Sequence, residues 1–552
     1  MNYLAQLREQ LSLPRTSWQL CLLAILGGTI SSSLVVLFIL AVEYLQSAYH
    51  YLANQYTSLQ QLSRLALPLI GALLILTFAW FTGYQYLRTG IPFVLHRLKT
   101  AHGVIPFRNT FNQFFGSVIA LASGFSVGRE GPAVHLGAAC SSYIASKLKL
   151  PNNAIRTLCA CGIAAAIAAS FNTPIAAVIF VMEVILREYK VYIFIPVMMA
   201  AIVGSMITSS IFGPAHEFDY FNNIAIELAH YPVIAVLGVA LGILAYVFNK
   251  YLVTTIRLSK HYHIAPRVLL AAMITAMFIY FIPSAFENDL GSMDFSSEGQ
   301  LAVKFLLSLL VAKVLMTITA LGLGIPGGVV GPILSIGAIA GTLTAAMVND
   351  FLPGANLHTD FALMGMAGFM AATLNAPLAA LLAVVELSNQ IDVIVPAMIV
   401  ITASCLSSGQ FFNNRSIFVM QLEAQDLAYR SPPIEKSLQR IGVLGVMNKN
   451  LRLLKDATQE EINQTLNQES EKQQVINQIG GEFIWQQRNL SGIEEHNLIP
   501  IHFQSSLADA YLLLINNRKG GVYVHEGDRD TCLGIVSFEQ IRTFLLKGKT
   551  HE

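Results

Sequence analysis

The chain has 552 residues, of which 54% are hydrophobic and 12% charged, and its net charge is +1. A soluble domain carries about 25% charged residues, so this composition, with a mean hydropathy of +0.57, excludes an ordinary soluble protein and points to the bilayer as solvent. Near-neutral charge also removes any case for nucleic-acid binding.

Apolar stretches of spanning or near-spanning length fall at 19–42, 66–87, 192–212, 232–248, 268–282, 302–323 and 391–407, against a need for about 20 residues. The first follows Arg8 and Arg15. It is too long for a signal-peptide core and lacks a small-residue cleavage site, so it reads as a retained span. The regions 111–186 and 323–388 are apolar but interrupted by Gly, Pro and a few charges. The first breaks into segments of about 10–17 residues, the pattern of discontinuous helices that meet at a central site. Segments 94–108 (Arg97, Lys99, Arg108) and 249–267 (Lys250, Arg257, Lys260, Arg267) are basic without an acid, which predicts a cytoplasmic position. Loops 214–230 and 284–300 are acidic and polar and belong on the other side. Cys21, Cys140, Cys159, Cys161, Cys405 and Cys532 show no paired ligand spacing and read as small hydrophobes, five of them in apolar sequence. From Glu423 onward 130 residues hold 14 Lys/Arg and 17 Asp/Glu, against 20 and 16 in the preceding 422. Charge density thus rises about threefold where a membrane part gives way to a polar tail.

The membrane part contains a duplication. Phe171-Asn172-Thr173-Pro174-Ile175-Ala176-Ala177 matches Leu374-Asn375-Ala376-Pro377-Leu378-Ala379-Ala380, and nine residues past each Pro stands an acid, Glu183 or Glu386, at an offset of 203. Gly131-Pro132 with Gly137-Ala138 matches Gly331-Pro332 with Gly337-Ala338 at an offset of 200. Two related halves, about 60–215 and 265–411, follow. Their spacing leaves parallel and inverted arrangements both open.

Three Gly-rich runs each precede an apolar helical stretch: Thr89-Gly90-Ile91-Pro92, Gly128-Arg129-Glu130-Gly131-Pro132 and Gly327-Gly328-Val329-Val330-Gly331-Pro332. Pro suits the first helical turn, and Gly admits close backbone approach. A helix that begins inside the membrane has unpaired N–H groups and a partial positive charge, which an anion satisfies without being held too tightly. The plainer alternative, that these glycines serve helix packing alone, weakens when three such runs fall on two repeated halves. Glu130 is costly in a membrane. Ionised, it takes the place of an anion; protonated, it releases that place. It is therefore a gate sensitive to pH and, in principle, to voltage. An ion pair with Arg129 is a poor rival, because adjacent helical residues do not face each other.

These runs resemble the signature segments of the CLC family of chloride channels and proton/chloride antiporters, over about 60–425. The resemblance implies an all-α polytopic membrane domain of two inverted repeats with broken helices, spanning 18–425 after a cytoplasmic N-terminus at 1–17. It also implies a homodimer with one pore per subunit, both termini in the cytoplasm of a multi-pass protein of the plasma or inner membrane, and Glu130 as external gate. Chloride and other small anions are the implied partners besides lipid. The implied anion-binding set is Thr89, Gly90, Ile91, Pro92, Gly128, Arg129, Gly131, Gly328, Val329, Val330 and Phe418. Thr89 stands where the family has a serine, Phe418 where it has a tyrosine (Tyr429 is the weaker match), and Val330 where it has an aromatic. His135, three residues past Pro132, reads as a packed histidine. The family's antiporters usually carry a second acid after Glu183; here that proton-relay position is Val184, as is common in its channels. The favoured expectation is thus a gated anion channel, with a proton-coupled antiporter as the alternative and Glu183 as a structural residue.

Residues 433–552 resemble a CBS pair, a small α/β regulatory domain. The later block runs from Leu498 through Gly534-Ile535-Val536-Ser537 to a last helix at Phe538. The earlier block, Val446 to about Asn489, opens a helix after Asp456-Ala457-Thr458 and is degenerate. Such pairs bind adenine nucleotides in some members, but no nucleotide motif stands here, so no cofactor is expected. The chain has no HExxH, GxSxG or Walker A run, which argues against an enzyme.

Overall fold

The structure is a computed structural model that describes residues 3–55, 60–82, 90–213, 226–286, 303–348, 357–427, 437–468, 474–489, 492–527 and 531–547. Its two compact units are 21–144 with 158–429, and 1–20 with 145–157 and 430–552. Thr89, Tyr429 and most of the two acidic loops lie outside the described residues.

Helices in chain order are α1 (Tyr3–Leu11), α2 (Trp18–Gln55), α3 (Gln60–Phe81), α4 (Gly90–Thr100), α5 (Phe107–Ala122), α6 (Glu130–Lys147), α7 (Asn152–Phe171), α8 (Pro174–Phe180), α9 (Val191–Phe212), α10 (Tyr231–Ser259), α11 (Ile264–Phe281), α12 (Val303–Leu323), α13 (Val330–Val348), α14 (Leu357–Leu374), α15 (Pro377–Ser388), α16 (Ile394–Leu406) and α17 (Ile417–Ala424). Among the described residues eight helices are long and apolar enough to cross a membrane. The three Gly-rich runs open α4, α6 and α13, as their Gly-Pro content predicts.

Several segments exceed their expected length. The 232–248 stretch becomes the 29-residue α10. Its polar continuation is tolerated because buried Asn249 donates to Thr373 O and Asn414 Oδ1, both at 3.1 Å. Within 111–186, α6 has 18 residues and α7 has 20, above the expected 10–17. Glycine does not break them because it packs them. A Cβ on Gly137 or on Gly162 would strike the other's carbonyl oxygen, and the same holds for Gly337 and Gly365 on α13 and α14. Both halves therefore use one close helix contact.

The two halves are inverted repeats. Equivalent residues touch each other across the repeat axis: Gly128 and Gly328 form an isolated antiparallel bridge. Asn172 and Asn375 adopt matching left-handed conformations (φ 56° and 54°) just before the Pro that starts α8 and α15. Asparagine tolerates that region, and Pro suits the first helical turn.

In the second unit β1 (Leu451–Lys455) pairs parallel with β2 (Gln474–Ile479), which pairs antiparallel with β3 (Glu482–Asn489), itself antiparallel to β4 (Gly492–Asn497). The other sheet has β5 (Ile499–His502) parallel to β6 (Gly521–His525) and β6 antiparallel to β7 (Gly534–Ser537). Helix α18 (Gln459–Gln468) joins β1 to β2 just as α19 (Leu507–Leu514) joins β5 to β6, and α20 (Phe538–Lys547) follows β7. The earlier block therefore has the β-α-β-β order of the later one, with β4 in place of a closing helix. Residues 1–20, which include the N-terminus expected at 1–17, belong to this unit. Gly442 N donates to Ser12 O at 2.9 Å, and Asn153 Nδ2 donates to Leu11 O at 2.9 Å. Arg8 pairs with Glu526 at 3.0 Å.

Candidate functional site

Glu130 opens α6, and its side chain is 4% exposed. The loops on either side of it are tied by two hydrogen bonds: Gly128 N to Gly328 O at 2.8 Å and Gly328 N to Gly128 O at 2.7 Å. Its carboxylate faces the amides of Glu130 and Gly331 at the starts of α6 and α13, while Oε2 has no hydrogen-bond partner. Glycine makes this seat. A Cβ on Gly331 would lie 3.1 Å from Oε1, one on Gly328 would lie 3.0 Å from Oε2, and one on Gly128 would collide with Oε2. The Glu130 carboxyl group thus occupies a cradle of backbone amides in which these three glycines leave no room for side chains of their own.

Two cavities flank the Gly128–Gly328 bridge. One, of about 90 Å³, is lined by Gly128, Arg129, Glu130 and Gly331 together with Glu43 and Gln46. The other, of about 110 Å³, is lined by Ile91, Pro92, Gly131, Gly328, Val329 and Phe418, with Gln421 and Arg267. The expected anion-binding residues are therefore split between the cavities, with Glu130 on the wall of the first. Val330 belongs to a third, small apolar cavity of about 40 Å³ that also includes Glu130, Thr173 and Ala379. Phe418 is 1% exposed and lines the second cavity beside Ile91 and Pro92 at the start of α4. Gly90 begins α4 at φ 76°, and its N–H donates to Gln113 Oε1 at 2.8 Å. Arg129 lies with its guanidinium 5.0 Å from the centre of the Phe171 ring. His135 is fully buried and stacks on Phe93 at 5.5 Å, consistent with a packed role.

Glu183 and Glu386 cap each other's repeat. Glu183 accepts from Leu378 N at 3.3 Å and Ala379 N at 2.7 Å, at the start of α15. Glu386 accepts from Ile175 N at 3.0 Å and Ala176 N at 2.7 Å, at the start of α8. Each carboxylate meets a helix N-terminus, where negative charge is favoured. Replacing either by Ala removes a charge-assisted pair of bonds and is expected to cost about 1–3 kcal/mol, read as a lower unfolding midpoint of the purified protein. An unchanged midpoint together with altered proton movement would instead assign Glu183 to ion handling. Val184 is buried and lines none of these three cavities among the described residues.

The sequence reading missed Gln113 as the anchor of α4. The signal was present: Gln113 and the buried Lys313 are polar residues in apolar helices at the same offset of 200.

A family model described as "Voltage gated chloride channel" matches residues 69–409, more than half of the chain. The chain belongs to that family. A curated relative, the H(+)/Cl(-) exchange transporter ClcA of Vibrio campbellii, is 27% identical over 441 residues, covering 75% of this chain and 92% of the relative. The crystal structure of a slow cyanobacterial Cl-/H+ antiporter superposes with a TM-score of 0.66 at 20% identity, covering 74% of this chain and 98% of that one. A eukaryotic CLC transporter superposes with a TM-score of 0.60 at 20% identity over 94% of this chain and 97% of its own; at these identities the two structures speak to fold alone. Family membership and the eight candidate spans make the chain an integral membrane protein.

Proposed function

We propose that the chain exchanges chloride for protons across a membrane, with Glu130 used by both ions in turn. The observation that carries this reading is the seat of the Glu130 carboxylate, in a cradle of amides on the wall of two cavities. An anion that enters the cradle must displace the carboxylate, and a displaced or protonated carboxylate leaves the amides to the anion. The name of the relative, an exchange transporter, favours coupling over a passive pore.

Val184 favours the rival reading, a gated channel, because valine carries no proton. Under exchange, protons reach Glu130 by water rather than by a side chain at 184. The small cavity beside Glu130 has the volume of a water molecule, with Glu130 and Thr173 as the polar side chains of an otherwise apolar lining, and it extends to Ala379, whose N–H bonds Glu183. Following external pH while a chloride gradient runs down across proteoliposomes separates the two readings.

The inner part of the path is closed by Phe418, with no hydroxyl to offer. Phe418→Tyr adds one donor at the cavity wall and is expected to tighten chloride binding about three- to tenfold in calorimetry. Unchanged affinity would place Phe418 off the path. A pair of copies with one pathway each, cytoplasmic termini, and a CBS-like role for the tail complete the proposal; these rest on the family resemblance and, for the tail, on the repeated β-α-β-β order.

A further inference from the structure

We propose that Arg267 holds a small anion at the cavity on the far side of the Gly128–Gly328 bridge from Glu130, and so sets the affinity with which anions enter from that side. The inference rests on the anion-transport reading above. Arg267 lies in the first turn of α11 and lines the cavity of about 110 Å³ with Pro92, Val329 and Phe418. It is the one charged side chain among the described residues of that lining. Its guanidinium lies against the backbone of Gly324, where a Cβ would come within 3.2 Å of Nη2. Gly324 itself has a φ of 102°, so the approach needs glycine twice over. Arg267 Nε is buried without a hydrogen-bond partner.

The acids that would neutralise Arg267 are already taken. Asp426, next to the lining residue Gln425, pairs with Lys260 at 2.7 Å. Glu423, on the same helix end, pairs with Arg415 at 2.6 Å. Among the described residues Arg267 forms no ion pair with a carboxylate. A partly buried cation without a counter-charge is costly, and here the missing counter-charge is the transported ion. Ile91 and Pro92 bring the start of α4 to the same cavity, and Gln421 adds a neutral amide. Arg267 thus gives an arriving anion a fixed positive charge before it meets the amides near Glu130.

The test uses the full chain in liposomes and measures initial chloride flux over a range of chloride concentrations. For Arg267→Gln the half-saturating chloride concentration is expected to rise about three- to thirtyfold, with the maximal rate kept within about twofold. Arg267→Lys keeps the charge and is expected to stay within about threefold of the parent chain. Half-saturation unchanged in Arg267→Gln, or a fall in maximal rate alone, overturns the proposal, since a helix-anchoring role would give only the latter. If Arg267→Gln does not fold, Arg267→Met, which keeps the apolar stem, carries the same comparison. A parent chain that moves no chloride overturns the transport reading itself, before any variant is compared.

Discussion

Replacing Glu130 with Gln is expected to leave chloride flux running while proton movement falls to the background leak. The two side chains are nearly equal in size, so the cradle of Gly128, Gly328 and Gly331 is not deformed. Gln has no charge with which to compete for the amides at the starts of α6 and α13, and it takes up no proton in the working pH range. Flux in the parent chain should rise as pH falls, because protonation withdraws the competing carboxylate. In Glu130→Gln the rate should vary by no more than about twofold between pH 4.5 and 7.5. A pH dependence that survives the substitution would remove Glu130 from the gate.

The second large effect is expected at Gly131. A Cβ there would lie 2.7 Å from Gly328 Cα, 2.8 Å from Gly327 O and 2.9 Å from Gly328 N. All three are backbone atoms, and the Gly128–Gly328 bridge holds the second loop in place. Nothing can rotate away, so Gly131→Val must part the two loops. Overpacking of this kind costs about 1–3 kcal/mol, and here the displaced residues also line the cavity proposed as part of the anion path. Transport should fall at least about tenfold, with a lower unfolding midpoint. Gly409 is the control: a Cβ there meets nothing within 4 Å, and Gly409→Ala should leave transport unchanged. If Gly131→Val transported like the parent chain, the pairing of the two loops could not be part of the pathway.

The starts of α4, α6 and α13 were legible because helix beginnings are written locally, in Gly and Pro. The duplication was legible because two offsets, 200 and 203, agree. Inversion was not, since it depends on contacts such as Glu183 with Ala379 that join residues far apart in the chain. The lengths of α6 and α7 were underestimated because Gly137 and Gly162 read as interruptions, whereas each fills the space the other leaves. Nothing in residues 1–20 or 145–157 announces that they join the tail unit; the bonds that bring them there are long-range ones from backbone groups, Asn153 and charged side chains such as Arg8 with Glu526. β4 was hidden for a similar reason, as Gly492–Asn497 holds two adjacent glutamates and little apolar pattern. Around Glu130 the acid and its glycines were visible in the sequence. Arg267 was visible only as one charge in a basic segment, because its lack of an ion pair shows only once Asp426 and Glu423 are seen to pair with Lys260 and Arg415. The expectation of a passive pore leaned chiefly on Val184, with Thr89 and Phe418 beside it. That residue removes one side chain from a proton route, but a route through water leaves no mark in the sequence.

The central claim is coupling, and one measurement addresses it. Liposomes carrying the full chain are loaded with high chloride, diluted into low chloride at equal pH inside and out, and the membrane potential is clamped with a potassium ionophore. Chloride leaving down its gradient should drive protons inward, so that the external medium turns alkaline until an uncoupler abolishes the change. Chloride efflux with no proton movement beyond the leak would contradict exchange and establish a passive anion channel.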